Sequence, residues 1–249
     1  MKRFKLTVAY DGTAYCGYQY QPELPTVEGF VNDALSELLG ENIVTIGASR
    51  TDSGVHAYGN VAVFDSDTRI PAEKLALALN TKLADDIRIT ESLEVAADFH
   101  PRKNVIDKTY EYHINTAKIP FPTDRLYIYN VKHKLDIAAM REAAKYIEGR
   151  HDFTSFCSAK TDKEDKVRTV FQIDVEEALR SELIIRVRGD GFLYNMVRII
   201  AGTLVKVGEG KISPNEILSI IKRKDRGHLG TTLPAKGLFL MGIRYKEEG

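Results

Sequence analysis

The chain opens with "RFKLTVAYDG", where apolar and polar positions alternate with the period of two that sends successive strand side chains to opposite faces. The period changes in "TVEGFVNDALSELLG". Val27, Phe30, Val31, Ala34, Leu35 and Leu38 recur there every three or four residues, with Thr26 at the N-cap position and Gly40 as the stop, which predicts a helix. "NIVTIGAS" and "GNVAVFDS" read as strands, "PAEKLALALNTKL" as a helix opened by Pro71, and "IRITESLEVA" as a strand. The second half repeats the plan. "NVIDKTYEYHINT" is a strictly alternating strand and "DIAAMREAAKYIEG" a helix; "VRTVFQIDVEEA" and "ELIIRVRGDG" are strands, followed by the helix "FLYNMVRIIAGTLVKVG". A further helix, "SPNEILSIIKR", precedes a closing strand, "GLFLMGIRY". The expected fold class is α+β, two ferredoxin-like (RRM-like) β-α-β-β-α-β units with antiparallel sheets, helices on the outer faces and an active-site cleft between them. The segment "FHPRKN" divides them into domains of residues 1–103 and 104–249.

Composition narrows the class without naming a function. A chain of 249 residues, 43% hydrophobic and 28% charged, can bury one large core or two smaller ones. No apolar run reaches the roughly 18 residues of a membrane span. The N-terminus enters a strand without a signal-peptide core, so no membrane association and a cytoplasmic location are expected. Cys16 and Cys157 match no disulfide framework, and the six histidines include no i,i+4 pair, so no metal site is expected. The net charge of zero hides an asymmetry: residues 1–103 carry 10 Lys and Arg against 15 Asp and Glu, the remainder 25 against 20. That permits a nucleic-acid partner without indicating one.

The candidate chemistry begins in "IGASRTDSGVHAYGN". Asp52 followed by Ser53 and Gly54 is ordinary turn composition, and the same carboxylate on a loop of small residues is free to do chemistry. Arg50, two residues earlier, is either a solvated charge or a ligand contact. Arg198 is the sole charge between Phe192 and Val205. Phe192, Met196, Ile199, Ile200, Thr203 and Leu204 form one helical face; Arg198 shares the other with Tyr194, Ala201, Gly202 and Val205. A helix apolar on both sides is buried, and a charge on it is costly unless paired, so it asks for a carboxylate unless it snorkels to the surface. Ala201 and Gly202 leave room for another backbone to approach. Tyr110 and Tyr112 alternate along one strand and share a face, either as core tyrosines with satisfied hydroxyls or with one of them a platform for a base. "SAKTDKEDK" reads as a solvated loop, and "KRKDRGH" either contacts phosphate or does nothing. Two motifs mislead. "VAVFDSDT" imitates an aspartyl phosphotransferase but lacks the later Lys and acidic motifs of its magnesium site. "GEGKIS" has Val205 where a phosphate-binding loop needs Gly, and follows a helix instead of a strand.

Six blocks in order, "YDGTAYCGYQYQPELPTVEG", "GASRTDSGVHA", "FHPRKNVIDKTYEY", "HDFTSF", "GDGFLYNMVRIIAGTLVKVG" and "AKGLFLMGIRY", resemble the TruA-type tRNA pseudouridine synthases from about Phe4 to Tyr245. The resemblance implies isomerisation of uridine to pseudouridine at positions 38, 39 and 40 of the tRNA anticodon stem-loop, without a cofactor, by a homodimer. It implies Asp52 as the essential catalytic group, Tyr110 as the active-site tyrosine on the target base, Arg198 as the basic partner of Asp52, and Arg50 as a substrate-binding residue that helps hold the nucleotide out of its stack. Ser49 stands where Gly is usual, Ser53 where Ala is frequent and Tyr18 where Trp is frequent; none removes a catalytic group. The competing reading is a non-catalytic RNA-binding protein of two RRM-like units, against which stands the absence of an RNP1 pattern on any strand.

Overall fold

A computed structural model describes residues 1–161, 163–226 and 231–246. Asp162 of "SAKTDKEDK" and the final Gly227 and His228 of "KRKDRGH" lie outside the described residues. The chain folds as two compact units, Met1–Ile106 with the closing segment from Phe239, and Asp107–Leu238. A division of the linear sequence at 103/104 has no means of showing that the closing strand belongs with the first unit. Among the described residues no helix is long and apolar enough to cross a membrane.

In the first unit β1 (Lys2–Tyr10) lies between β4 (Ile87–Val95) and β3 (His56–Ser66), antiparallel to both. The alternation read from the sequence is the burial pattern found: Phe4, Leu6, Val8 and Tyr10 point inward. The other edge of β3 is shared. A two-residue strand, β2 (Ile46–Gly47), runs antiparallel to it at Val63 and Ala62, and β10 (Leu238–Tyr245) runs parallel to it at His56 and Ala57. The sheet order β4-β1-β3, with β2 beyond β3, is the ferredoxin-like arrangement. Most of the expected strand "NIVTIGAS" is therefore loop, because only Ile46 and Gly47 find ladder partners.

The helices of this unit are α1 (Val27–Leu39) and α2 (Ala72–Leu79). Helix α1 buries Val27, Val31, Ala34 and Leu35, as the periodicity predicts, and ends at Gly40 with φ 70°. Phe30 departs from the expected face: it is 46% exposed and meets Tyr15 edge-on at 5.6 Å. Thr26 occupies the N-cap without a side-chain capping bond. The first free N–H groups of the helix go elsewhere: Val27 N donates to Gly17 O (3.2 Å) and Glu28 N to Tyr18 O (2.8 Å). The "FHPRKN" segment is tied to the same unit, Tyr245 Oη donating to Pro101 O at 3.1 Å and Lys246 N to Asn104 O at 3.1 Å.

The second unit orders its strands β5-β9-β8-β7: β5 (Val105–Asn115), β9 (Glu182–Gly189), β8 (Val167–Glu177) and β7 (Gly149–Asp152), each pair antiparallel. A two-residue strand, β6 (Tyr129–Asn130), runs parallel beside Ile114 and Asn115. On β9 Leu183, Ile185 and Val187 face the core and Arg186 and Arg188 face outward, the period of two again. Helix α3 (Ile137–Ile147) is capped by Asp136, whose carboxylate accepts from Ala139 N at 3.0 Å, and packs against β8. It packs also on α4 (Met196–Gly208) and α5 (Glu216–Arg223). Helix α4 starts four residues later than its apolar pattern, since Asn195 adopts a left-handed conformation at φ 62° that a continuous helix excludes.

Candidate active site

The Asp52 loop runs from Ala48 to Val55 and is built from outside itself. Ala48 N donates to Val61 O at 2.7 Å. Ser49 is held by the carboxamide of Asn60, its N–H donating to Oδ1 (3.2 Å) and its carbonyl accepting from Nδ2 (2.9 Å). Thr51 is held from two sides: its carbonyl accepts from Tyr18 N at 3.0 Å, and its hydroxyl shares a 2.7 Å hydrogen bond with the Tyr10 hydroxyl. Gly17 lies close behind, at φ 97°, where a Cβ would come within 2.8 Å of Thr51 O. Arg102 reaches the start of the loop, Nε donating to Gly47 O at 2.7 Å. As a result Ala48, Ser49 and Thr51 are buried, Arg50 is exposed and Asp52 is half-buried.

Asp52 also makes the turn its composition suggests. Val55 N donates to Asp52 O at 3.1 Å, and Gly54 takes φ 76°, as the third residue of a tight turn requires. The turn bond is made by the backbone of Asp52, so the two readings of the residue do not compete. Beyond the turn Gly12 N donates to His56 Nδ1 at 3.1 Å, and the imidazole stacks on Phe239 at 4.7 Å. Between Tyr10–Ala57 and Val8–Asn60 the register slips by one residue, a β-bulge at Tyr58–Gly59 beside the loop.

In the second unit, α4 is buried on nearly every side, as its double apolar face predicts. The backbone that approaches its small residues is Thr231: a Cβ on Gly202 would lie 2.2 Å from Thr231 O. Arg198, half-buried, donates from Nε to Leu233 O at 2.7 Å and from Nη1 to the Asn195 carboxamide oxygen at 2.8 Å. Neutral oxygens thus meet part of the demand that burial places on the guanidinium. Tyr110 and Tyr112 share a face of β5 and are both buried. Tyr110 meets Phe192 edge-on at 5.3 Å, while the Tyr112 hydroxyl donates to Pro234 O at 2.8 Å, and burial pushes its phenol well above the ordinary value. Tyr112 therefore fits the core role weighed for the pair.

The remaining sequence candidates are placed more simply. Lys224 of "KRKDRGH" lies 2.8 Å from Asp152, and against the opposing effect of burial the bonds from Lys224 and Thr154 bring that carboxyl down to about 2. Arg226 donates to Thr232 Oγ1 at 3.1 Å. Among the described residues no group of three or more His, Cys, Asp or Glu is disposed to hold a metal ion. Sequence reasoning overlooked Tyr10 and Asn60. The signal available was a carboxamide inside the apolar run "VHAYGNVAVF", a buried polar group that has to find partners.

Comparison with known proteins adds to this geometry. The tRNA pseudouridine synthase family matches residues 6–102 and 143–246. The tRNA pseudouridine synthase A of Brevibacillus brevis is 47% identical over 245 residues, 98% of this chain and 100% of that one. That of Bacillus subtilis is 47% identical over 246 residues, 98% and 99% of the two chains. Among solved structures a chain of a Cbf5-Nop10-Gar1 complex aligns with 81% of this chain and 54% of its own length, at 12% identity and a TM-score of 0.35. With the family match spanning both folded units and full-length relatives at nearly half identity, the chain belongs to the tRNA pseudouridine synthase family.

Proposed function

We propose that this protein isomerises uridine to pseudouridine in tRNA, at positions 38, 39 and 40 of the anticodon stem-loop. The observation that carries this reading is the identity with tRNA pseudouridine synthase A over 98% of the chain. The reaction breaks the N–C glycosidic bond of the target uridine, turns the uracil and rejoins it through carbon. Its central requirement is an ionised carboxylate, acting as nucleophile or as base at a ribose carbon. Asp52 supplies it: it is half-buried, on a loop fixed by bonds from Asn60, Tyr10 and Tyr18. Desolvation favours the neutral acid, and a guanidinium in contact typically outweighs that effect. We assign that role to Arg198.

A base within a helical stem reaches a reactive group by swinging out of its stack, at a cost of a few kcal/mol. Tyr110 stacks on the extruded uracil in this scheme, and the exposed Arg50 holds the flipped nucleotide. Phosphate contacts from the more basic sequence beyond residue 103 position the stem-loop without reading its bases. A homodimer that cradles one tRNA reconciles the net charge of zero with a polyanionic substrate, since the local potential is what the RNA meets. The reaction takes place in the cytoplasm and uses no cofactor.

The test is incubation of an unmodified tRNA transcript with the protein in EDTA, followed by mapping of pseudouridine. Wild type modifies positions 38–40 and Asp52→Asn leaves them as uridine. Equal activity of the two would move the chemistry to another residue, and wild type that binds the transcript without modifying it would leave a binding protein.

A further inference from the structure

Behind the Asp52 loop lies a polar group that the reaction scheme does not use. Asn60 is fully buried in the middle of β3, where its neighbours Val61, Ala62, Val63 and Phe64 are all core residues. A buried carboxamide costs stability unless each of its hydrogen-bonding positions is filled. Here they are. Oδ1 accepts from Ser49 N at 3.2 Å and from Val61 N at 2.9 Å; Nδ2 donates to Ser49 O at 2.9 Å and to the Tyr10 hydroxyl at 3.3 Å. The Tyr10 hydroxyl passes the connection on to Thr51 Oγ1 at 2.7 Å. One side chain on a strand thus grips the residue before Arg50 directly and the residue after it through a single phenol.

The purpose of the grip follows from what it leaves outside. Ser49 and Thr51 are drawn inward, and Arg50 between them is turned to solvent, with Asp52 next in line. The loop has no ladder of its own over these residues, so these bonds, together with those from Ala48 N to Val61 O and from Tyr18 N to Thr51 O, set its conformation. We infer that Asn60, acting through Tyr10, is a positioning residue of the proposed isomerase: it sets the loop conformation in which Arg50 and Asp52 are presented to the target nucleotide. Neither touches substrate in this scheme. The inference rests on the assignment of Asp52 as the reacting carboxylate.

Three substitutions separate positioning from support of the fold. Tyr10→Phe keeps the ring and removes the hydroxyl. Thr51→Val removes the other end of the same bond, and Asn60→Asp keeps the shape while replacing the donor to Ser49 O and Tyr10. Each is measured for single-turnover pseudouridine formation with saturating enzyme, for affinity to the same tRNA transcript, and for its unfolding midpoint, at a temperature well below that midpoint. The expected result is a rate lowered about three- to tenfold in Tyr10→Phe and Thr51→Val, and more than tenfold in Asn60→Asp, with transcript affinity within twofold of wild type. Thr51→Ser, which keeps the hydroxyl, restores the rate. The double variant Tyr10→Phe/Thr51→Val is no slower than Tyr10→Phe alone, because the bond between the two hydroxyls is already gone in that variant.

Should Asn60→Asp fail to fold, the Tyr10 and Thr51 pair still decides the matter. Folded variants with rates within twofold of wild type, or with weakened affinity at an unchanged rate, overturn the inference. Wild type that makes no pseudouridine overturns the proposed function itself, an outcome the wild-type control reveals before any variant is compared.

Discussion

Asp52 and Arg198 are carried on two kinds of backbone. The loop from Ala48 to Val55 takes its order from partners far away in sequence: Val61, Asn60, Tyr10 and Tyr18 hold its amides, carbonyls and one hydroxyl. Helix α4 satisfies its own backbone and is buried along nearly its whole length, so the position of Arg198 follows from regular geometry and packing. The contrast shows two routes to a fixed charged group. An irregular loop needs specific polar clamps, whereas a buried helix needs small residues that let a neighbouring segment close over it. The same contrast fixes where each arrangement is fragile, with polar substitutions striking the loop and volume changes striking the helix.

The sharpest probe of the comparison is Arg198→Met, which preserves the apolar packing of α4 and removes the guanidinium. Turnover of a tRNA transcript is expected to fall on the order of 10²–10³-fold, by analogy with loss of one electrostatic stabiliser, while filter binding shows transcript affinity largely kept. A variant of near-normal rate would detach Arg198 from the chemistry and leave it a structural role, in which its bonds to Leu233 and Asn195 take part.

Next in size is Gly202→Ala. The added Cβ would lie 2.2 Å from the carbonyl oxygen of Thr231, a backbone atom that cannot move alone, so chemical denaturation should report a loss of about 1–3 kcal/mol or more. Gly17→Ala is its counterpart in the first unit. There the strain combines a left-handed φ of 97° with an approach of 2.8 Å to Thr51 O, and the expected loss is about 1–3 kcal/mol. If the loop is set by its clamps as described, Gly17→Ala also slows turnover. The reverse ranking, with Gly17→Ala costing far more stability than Gly202→Ala, would contradict the picture of α4 as the tighter packing site.

The smallest effect lies on the face of β5 and β9 opposite Tyr110 and Tyr112. His113 sits between Glu111 (3.2 Å) and Glu182 (2.6 Å), and Arg186 bonds Glu111 at 2.8 Å. Burial works to lower the imidazole value, but the two carboxylates prevail and raise it. A group whose folded value is raised stabilises fully below its unfolded value, about 6.5 for histidine, and loses that contribution as pH rises through the folded value. The stability difference between wild type and His113→Gln should therefore be largest below about pH 6.5 and shrink above it. Thermal unfolding across that range checks the sign, and a difference that grows with pH would reverse the assignment.

Much of the fold was legible because its signals are local. The alternation of Phe4, Leu6, Val8 and Tyr10 and the spacing of Val27, Val31, Ala34 and Leu35 each reflect burial of one face, which a sequence displays directly. Asn195 was not legible: left-handed backbone at a non-glycine residue is imposed by surroundings that the apolar pattern of α4 does not encode. Phe30 matched the helical period and yet lies at the surface, because periodicity gives a direction around the helix without saying how far the covering layer extends. For Arg198 the sequence announced that a buried charge needs partners. It did not announce that a backbone carbonyl and a carboxamide would be among them. The grip on the Asp52 loop was hidden for a related reason: Asn60 and Tyr10 lie on different strands, and their meeting depends on the register of β1 against β3.

The pairing of β10 with β3 carries a consequence for how the molecule is made. The strand that emerges from the Asp52 turn gains its parallel neighbour at His56 and Ala57 from chain that follows the whole of the second unit. On a ribosome, residues 1–106 would wait with the His56–Ala57 end of that edge unladdered, open to foreign strands, until the rest had been synthesised. Shortening the polypeptide before Phe239 would thus leave the turn at Asp52 in place in the sequence while removing the ring that stacks on His56 just behind it.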